Sequence, residues 1–189
     1  MSTVAWIILA IIVFSILGIV FIYNSLISKK NNVKNAFSTI DVLLKMRYDL
    51  IPNLISSVQE YMKHEAGVLT KITELRAKAI NPSIDDNEKI KIDNELSRAL
   101  GGIMVAVENY PDLKASNNFI QLQQALNEVE EKISAGRRTY NACVTDFNNA
   151  LQMFPSNIIA SRMNLKEATW IEIEEAERKN VDVKKMFAS

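Results

Sequence analysis

The residues most capable of chemistry are few. His64-Glu65 has the opening of the zinc-protease helix pattern H-E-x-x-H, but Val68 stands where the second histidine must fall. A di-iron site in a helical bundle needs a Glu-x-x-His pair from each of two helices, and the chain has one histidine. Its ordinary role is a structural hydrogen bond. Cys143 falls on an apolar helical seam and reads as a small core side chain. Ser83 has no histidine or lysine base evident, and Gly101-Gly102 sits inside a helical pattern, not in a phosphate-binding loop. No catalytic, metal or cofactor constellation emerges, so the expectation is a protein that is not an enzyme. Arg47 and Glu65 are more informative, because both fall on seam positions where a charge is costly unless paired. Each is expected to form a salt bridge or to snorkel outward; the sharper reading is a polar layer that fixes register or receives a partner. Glu128 and Lys132, four apart, are helix-surface support.

Helices must position these groups. Beyond the N-terminal run the apolar spacing is 3–4 almost throughout, with no period-2 stretch. The clearest seam runs through Phe119, Leu122, Leu126, Val129, Ile133, Gly136, Tyr140, Cys143, Phe147, Ala150 and Phe154, ahead of Pro155. Asn118 with Gln121 could cap its start. Before it, Ile92, Leu96, Ala99, Ile103, Val107 and Tyr110 form a helix ending at Pro111, with Ser83 and Asp86 as a capping box. Gly101 and Gly102 should cost that helix about 1 kcal/mol each against alanine. Close packing on a neighbouring backbone is the expected compensation, local flexibility the alternative. Upstream, Leu54 to Ala79 gives another seam, and Val33 to Arg47 the first.

Those first two seams join in register across Pro52, which allows one long kinked helix. Pro52 also suits the first turn of a new helix capped by Asp49. A continuous helix would leave the stripe of residues 33–47 without a partner in the same chain. Separate helices bury all four stripes, and the packing argument favours an all-α, antiparallel up-and-down four-helix bundle of long helices. Its fourth member would run to nearly 40 residues and outreach its neighbours toward the N-terminal run.

That run is uncharged from Val4 to Ile22, 19 residues of which fourteen are Val, Ile, Leu or Phe. Summed insertion preferences reach about −6 kcal/mol, and just under ~30 Å of helix spans a hydrocarbon core. Trp6 and Tyr23 sit near its ends, where amphipathic rings prefer the interface. No basic residue precedes it and Tyr23-Asn24-Ser25-Leu26 is a poor cleavage site, so an uncleaved anchor is expected over a signal peptide. Lys29, Lys30 and Lys34 follow it, which by the positive-inside rule leaves the N-terminus outside and the rest in the cytoplasm. The expected organisation is a transmembrane anchor (1–23), a helical body (24–160) and a charged tail (161–189). With 22 acidic and 22 basic residues and no long basic run, a nucleic-acid partner is not expected. A single cysteine suits a reducing compartment.

Several stretches carry a resemblance. Val33-Lys34-Asn35-Ala36-Phe37, Arg47-Tyr48-Asp49-Leu50-Ile51-Pro52-Asn53-Leu54 and Tyr61-Met62-Lys63-His64-Glu65 are similar to the signature of the LemA family. So are Glu108-Asn109-Tyr110-Pro111-Asp112-Leu113-Lys114-Ala115, Arg137-Arg138-Thr139-Tyr140-Asn141 and Phe154-Pro155-Ser156-Asn157-Ile158-Ile159-Ala160. The resemblance covers residues 23–160 in order. It implies a bacterial single-pass membrane protein with an antiparallel helical bundle and no established catalytic activity. Some members are encoded beside membrane metalloproteases, and one branch takes part in magnetosome membrane formation. Arg162-Met163-Asn164-Leu165 replaces the family's Phe-Gly-Phe-like turn, and Thr169-Trp170-Ile171-Glu172 its aromatic-acidic segment.

The expected function is a membrane-anchored scaffold or adaptor on the cytoplasmic face of the bacterial membrane. The alternatives are a self-assembling membrane-shaping protein and a regulator of a membrane-bound protease. Expected partners are the lipid bilayer, further copies of the chain, and a membrane protease or other membrane protein. The excess length of the fourth helix would deliver Phe154, Ile158 and Ile159 to the level of Lys29 and Lys30, with Trp170 beyond. There they would lie in the interface or pack back on the bundle base. The acidic stretch from Glu172 to Glu177 is expected to be a solvated helix end, with a linear docking element as the alternative.

Overall fold

Uncharged Val, Ile, Leu and Phe from Val4 onward pass directly into polar residues at helical spacing, with neither glycine nor proline between Ile19 and Ile51 to stop the helix. In the computed structural model, which describes residues 3–172, α1 runs unbroken over Thr3–Val58. It is the one helix among the described residues that is long and apolar enough to cross a membrane. The side chains of its apolar run are largely exposed, whereas Leu26, Ile40, Leu44, Ile51, Leu54 and Val58 are buried.

The expected break at Asp49–Pro52 is absent: Pro52 lies inside α1. A proline in a helix interior cannot donate to the carbonyl four residues back, here that of Tyr48. Arg76 fills the vacancy, its Nε donating to the Tyr48 carbonyl oxygen at 2.8 Å. The reversal comes later, where the amides of Tyr61 and Met62 both bond to the Val58 carbonyl (3.1 and 2.9 Å) ahead of a 3-10 turn at Lys63–Glu65. Helix α2 is therefore Ala66–Ala79, half the expected length. Helix α3 spans Asp86–Val107, α4 Pro111–Lys114, α5 Asn117–Gln152 and α6 Ser156–Arg162. No strand occurs among the described residues.

Two caps differ from expectation. Asp85, not Ser83, caps α3, its Oδ1 accepting from the Glu88 amide at 2.8 Å; Ser83 instead bonds Asn81 Oδ1 through its amide and its hydroxyl (3.0 and 2.8 Å). Helix α5 begins one residue before Asn118, behind Ser116, without a side-chain cap.

Packing direction follows from the paired residues. Ile40 approaches Gly136 and Arg47 meets Glu130, so α5 descends antiparallel to α1. That covers the 33–47 stripe, and the objection to a continuous α1 disappears. Asp41 pairs with Lys89 and Arg47 with Asp93, so α3 runs parallel to α1; the short connection from Ala79 to Asp86, with Lys71 facing Glu95 at 3.5 Å, sets α2 against α3. A Cβ at Gly136 would lie 3.2 Å from Ile40 Cγ1, which explains the glycine where the two long helices meet. Gly101 and Gly102 are exposed, with nothing within 4 Å of a built Cβ, so the expected close packing there is not found.

One apolar core joins α1, α2, α3 and α5, from Ile40 and Ile133 to Met62 and Phe119. Ile171, from the tail, is part of it. After α6 the amides of Asn164 and Leu165 bond back to Ser161 and Ala160 (3.1 and 3.2 Å), the pattern of a Schellman turn. Asn164 occupies its left-handed position with φ of 51°, the place a glycine usually takes.

Candidate functional site

Three features concentrate polar or apolar groups in unusual ways. The first is a buried polar layer. Asp93, with no exposed surface, accepts from Arg47 Nη1 at 3.2 Å through one oxygen and from Arg137 Nη2 at 2.8 Å through the other. Arg47 Nη2 also reaches Glu130 Oε2 at 2.7 Å, so two guanidinium groups meet two carboxylates and the charges balance. The layer ties α1, α3 and α5 at one height. Buried charges linking three helices penalise any slip in register, because a slipped guanidinium would be buried without its partner. The adjacent Tyr48 hydroxyl is buried without a hydrogen-bond partner among the described residues. Burial, reinforced by the Asp93 charge, pushes its pKa upward.

Arg47 was legible as a seam charge, and its resolution is the salt bridge. Asp93, Arg137 and Glu130 were missed. The available signal was that Asp93, Leu96, Leu100, Ile103 and Val107 keep 3–4 spacing, which puts the carboxylate on the buried face. Glu65 does not join the layer. It is half-buried in the turn between α1 and α2, because the late reversal removes it from the seam it would occupy in a continuous helix. His64, in the same turn, is exposed, and Cys143 is half-buried in α5. Among the described residues no group of three or more His, Cys, Asp or Glu could hold a metal ion.

The second feature is the corner between α5 and α6. Met153, Phe154 and Ile158 are exposed there, Phe154 at 81 %; Ile159 is half-buried and Ala160 buried. Residue numbers of facing α1 and α5 positions sum nearly constantly, as in Ile40/Gly136 and Arg47/Glu130. At equal helical rise the last residue of α5, Gln152, comes opposite Asn24 and Ser25, just past the end of the apolar run. Helix α6 packs on both long helices. Above it lies a cleft of about 690 Å³, lined by Lys30, Lys34, Phe37, Tyr140, Phe147 and Lys166 among others. Phe37 and Tyr140 meet edge to face there at 5.8 Å, and burial raises the Tyr140 pKa.

The third feature is the tail, which does not continue toward the apolar run as expected. It turns back at Asn164 and climbs α5, carrying Trp170 to Thr145, where the indole Nε1 donates to Oγ1 at 3.0 Å. Asn148 Nδ2 donates to the Ala168 carbonyl and its Oδ1 accepts from the Ala168 amide, both at 2.9 Å. Asn141 repeats the pair with Ile171 at 2.8 and 2.9 Å. Tyr140 donates to the Thr169 carbonyl at 3.1 Å, and Gln152 to Glu167 at 2.7 Å. The acidic residues after Glu172 lie outside the described residues.

Comparison with known proteins accords with this architecture. The chain is 29% identical to Protein LemA of Metamycoplasma hominis over 86% of its own length and 74% of that protein. It is 22% identical to Magnetosome protein MamQ 2 of Paramagnetospirillum magneticum over 86% and 72% of the two chains. Against Magnetosome protein MamQ of Magnetospirillum gryphiswaldense the figures are 20%, 78% and 64%. Residues 36–184, most of the length, match the LemA family, and the chain belongs to it.

Proposed function

We propose that this protein is a non-enzymatic, membrane-anchored helical scaffold standing on the cytoplasmic face of the membrane. The observation that carries this is the continuity of α1 from the exposed apolar run at Val4–Ile22 into the core at Ile40–Val58. We read α1, α2, α3 and α5 as an up-down-up-down bundle, with α1 and α5 forming a stalk and all four helices the head. The lysines at 29, 30 and 34 support the cytoplasmic side. The polar layer supports a scaffold over an enzyme: its charges pair with one another across three helices and are spent on register. The exposed Met153 and Phe154, where α5 ends close to the end of the apolar run, and the exposed Ile158 after them support a base seated in the interface, since exposed apolar side chains beside an apolar span are stabilised there. A second reading, self-assembly into a membrane-shaping array, draws on the likeness to proteins named for the magnetosome.

The test is sided labelling in intact cells, with Cys143→Ser as background. Thr3→Cys should react with an impermeant thiol reagent, and Ser56→Cys should react only after lysis. Labelling at position 56 in sealed cells would overturn the orientation. Separately, Phe154→Trp, with Trp6→Phe and Trp170→Phe, should be quenched by shallow lipid-borne probes. An unquenched indole with solvent-exposed emission would rule out the seated base.

A further inference from the structure

The contacts between α5 and the tail have the chemistry of a peptide receptor. Asn141 and Asn148 are seven residues, or two turns, apart and so share a face of α5, about 10.5 Å apart along its axis. Their backbone targets, Ile171 and Ala168, are three residues apart. Spanning that rise takes about 3.5 Å per residue, the limit of an extended chain. Each carboxamide offers one acceptor and one donor to a single residue's N–H and C=O, as a neighbouring β-strand would. Recognition is therefore of main chain. Side-chain selectivity comes from two places: Ile171 inserts into the core and Trp170 lies on Thr145.

We propose that this face of α5 is a receptor for an extended chain segment, and that the segment it takes from outside is residues 165–171 of a second copy. Three observations select that occupant. The segment already seated has, in any second copy, the same backbone donors and acceptors and the same isoleucine. It is joined to the body by one turn at Asn164, so the body up to α6 need not unfold for the segment to leave its own α5. Exchange between copies remakes every hydrogen bond, so its balance against the closed form depends on the local concentration of neighbours. Copies held in one membrane by Val4–Ile22 are concentrated in that way; here the inference rests on the anchor reading. Tail exchange would link copies through α5 with no other surface required.

The test uses full-length chains in liposomes. Unlabelled protein carrying Trp170→p-benzoylphenylalanine is mixed with 15N-labelled wild-type protein and irradiated, and the captured α5 peptide is weighed. Heavy peptide reports the exchanged tail, while light peptide reports the closed tail together with exchange between two unlabelled copies. The heavy share should rise as lipid is reduced at fixed protein. It should fall at least tenfold when the labelled chain carries Asn141→Ala and Asn148→Ala. To separate recognition from acceptor stability, the donor is also made with Ala168→Pro, which removes one tail amide and leaves α5 intact; heavy and light capture should then both fall. Co-flotation with the liposomes reports the anchor independently. Light peptide alone at every density, in protein that floats, would overturn exchange, as would heavy capture indifferent to both sets of substitutions.

Discussion

Pro52 and Arg76 should be coupled far more strongly than their separation in sequence suggests. The Tyr48 carbonyl loses its helical donor to Pro52 and receives the Arg76 Nε at 2.8 Å instead. Replacing Arg76 by methionine keeps much of the stem and removes that donor. A hydrogen bond from a charged group to a partly buried acceptor is worth about 1.5–3 kcal/mol, so Arg76→Met should destabilise by about 1.5–2 kcal/mol. For a domain of this size that is a fall in Tm of roughly 3–8 °C. In a Pro52→Ala background the new amide of residue 52 can reach the Tyr48 carbonyl. The same Arg76→Met change should then cost less than about 0.5 kcal/mol, leaving a coupling of at least ~1 kcal/mol, well above the scatter of independent sites. Guanidinium titrations followed by circular dichroism, on the four proteins of the cycle in one detergent, measure this directly. Additivity within about 0.5 kcal/mol would refute the idea that Arg76 substitutes for the missing amide.

Two further outcomes follow from the same core. Asp93→Ala leaves Arg137 buried beside Arg47 with no shared carboxylate, and should cost about 3–5 kcal/mol by the same titration; a loss below about 1 kcal/mol would mean water or rearrangement relieves the layer. Gly101→Ala with Gly102→Ala, both in open space on α3, should together stabilise by about 1.5–2 kcal/mol, seen as a higher midpoint at unchanged slope, whereas destabilisation would point to a contact at these positions.

Much of this architecture was legible because helical periodicity is local. The seam from Phe119 to Phe147 predicted α5 nearly to its ends, and the uncharged run from Val4 predicted a span-length apolar helix. What failed depended on partners distant in sequence. Pro52 has the local signature of a helix start, and only Arg76, 24 residues on, lets the helix continue through it. Glu65 looked like a seam charge because the seam was extended through a reversal that no glycine or proline marks. Arg47 was visible as a problem needing a partner, but its partners lie on α3 and α5, and spacing within one helix cannot choose between them. Nothing in the helical spacing singles out Asn141 and Asn148 of α5. Their pairing with the tail is visible only once a non-helical segment is laid alongside at the rise of an extended chain.

The unbroken α1 also makes the molecule a lever. From Tyr23 to Val58 it rises about 50 Å at 1.5 Å per residue, helical throughout and braced at Pro52 by Arg76, from the part a bilayer would grip to the part that carries the head. Spanning helices tilt by about 20° on average, and more when the bilayer thins beneath them. A rigid arm of that length converts a 20° tilt into a sideways sweep of roughly 17 Å at its tip. Tilt of a few degrees, set by lipid thickness or by a crowded neighbour, thus becomes displacement of the turn at residues 59–65 by several ångströms. Whatever that turn touches would sense the state of the membrane through geometry, without the head changing its own fold.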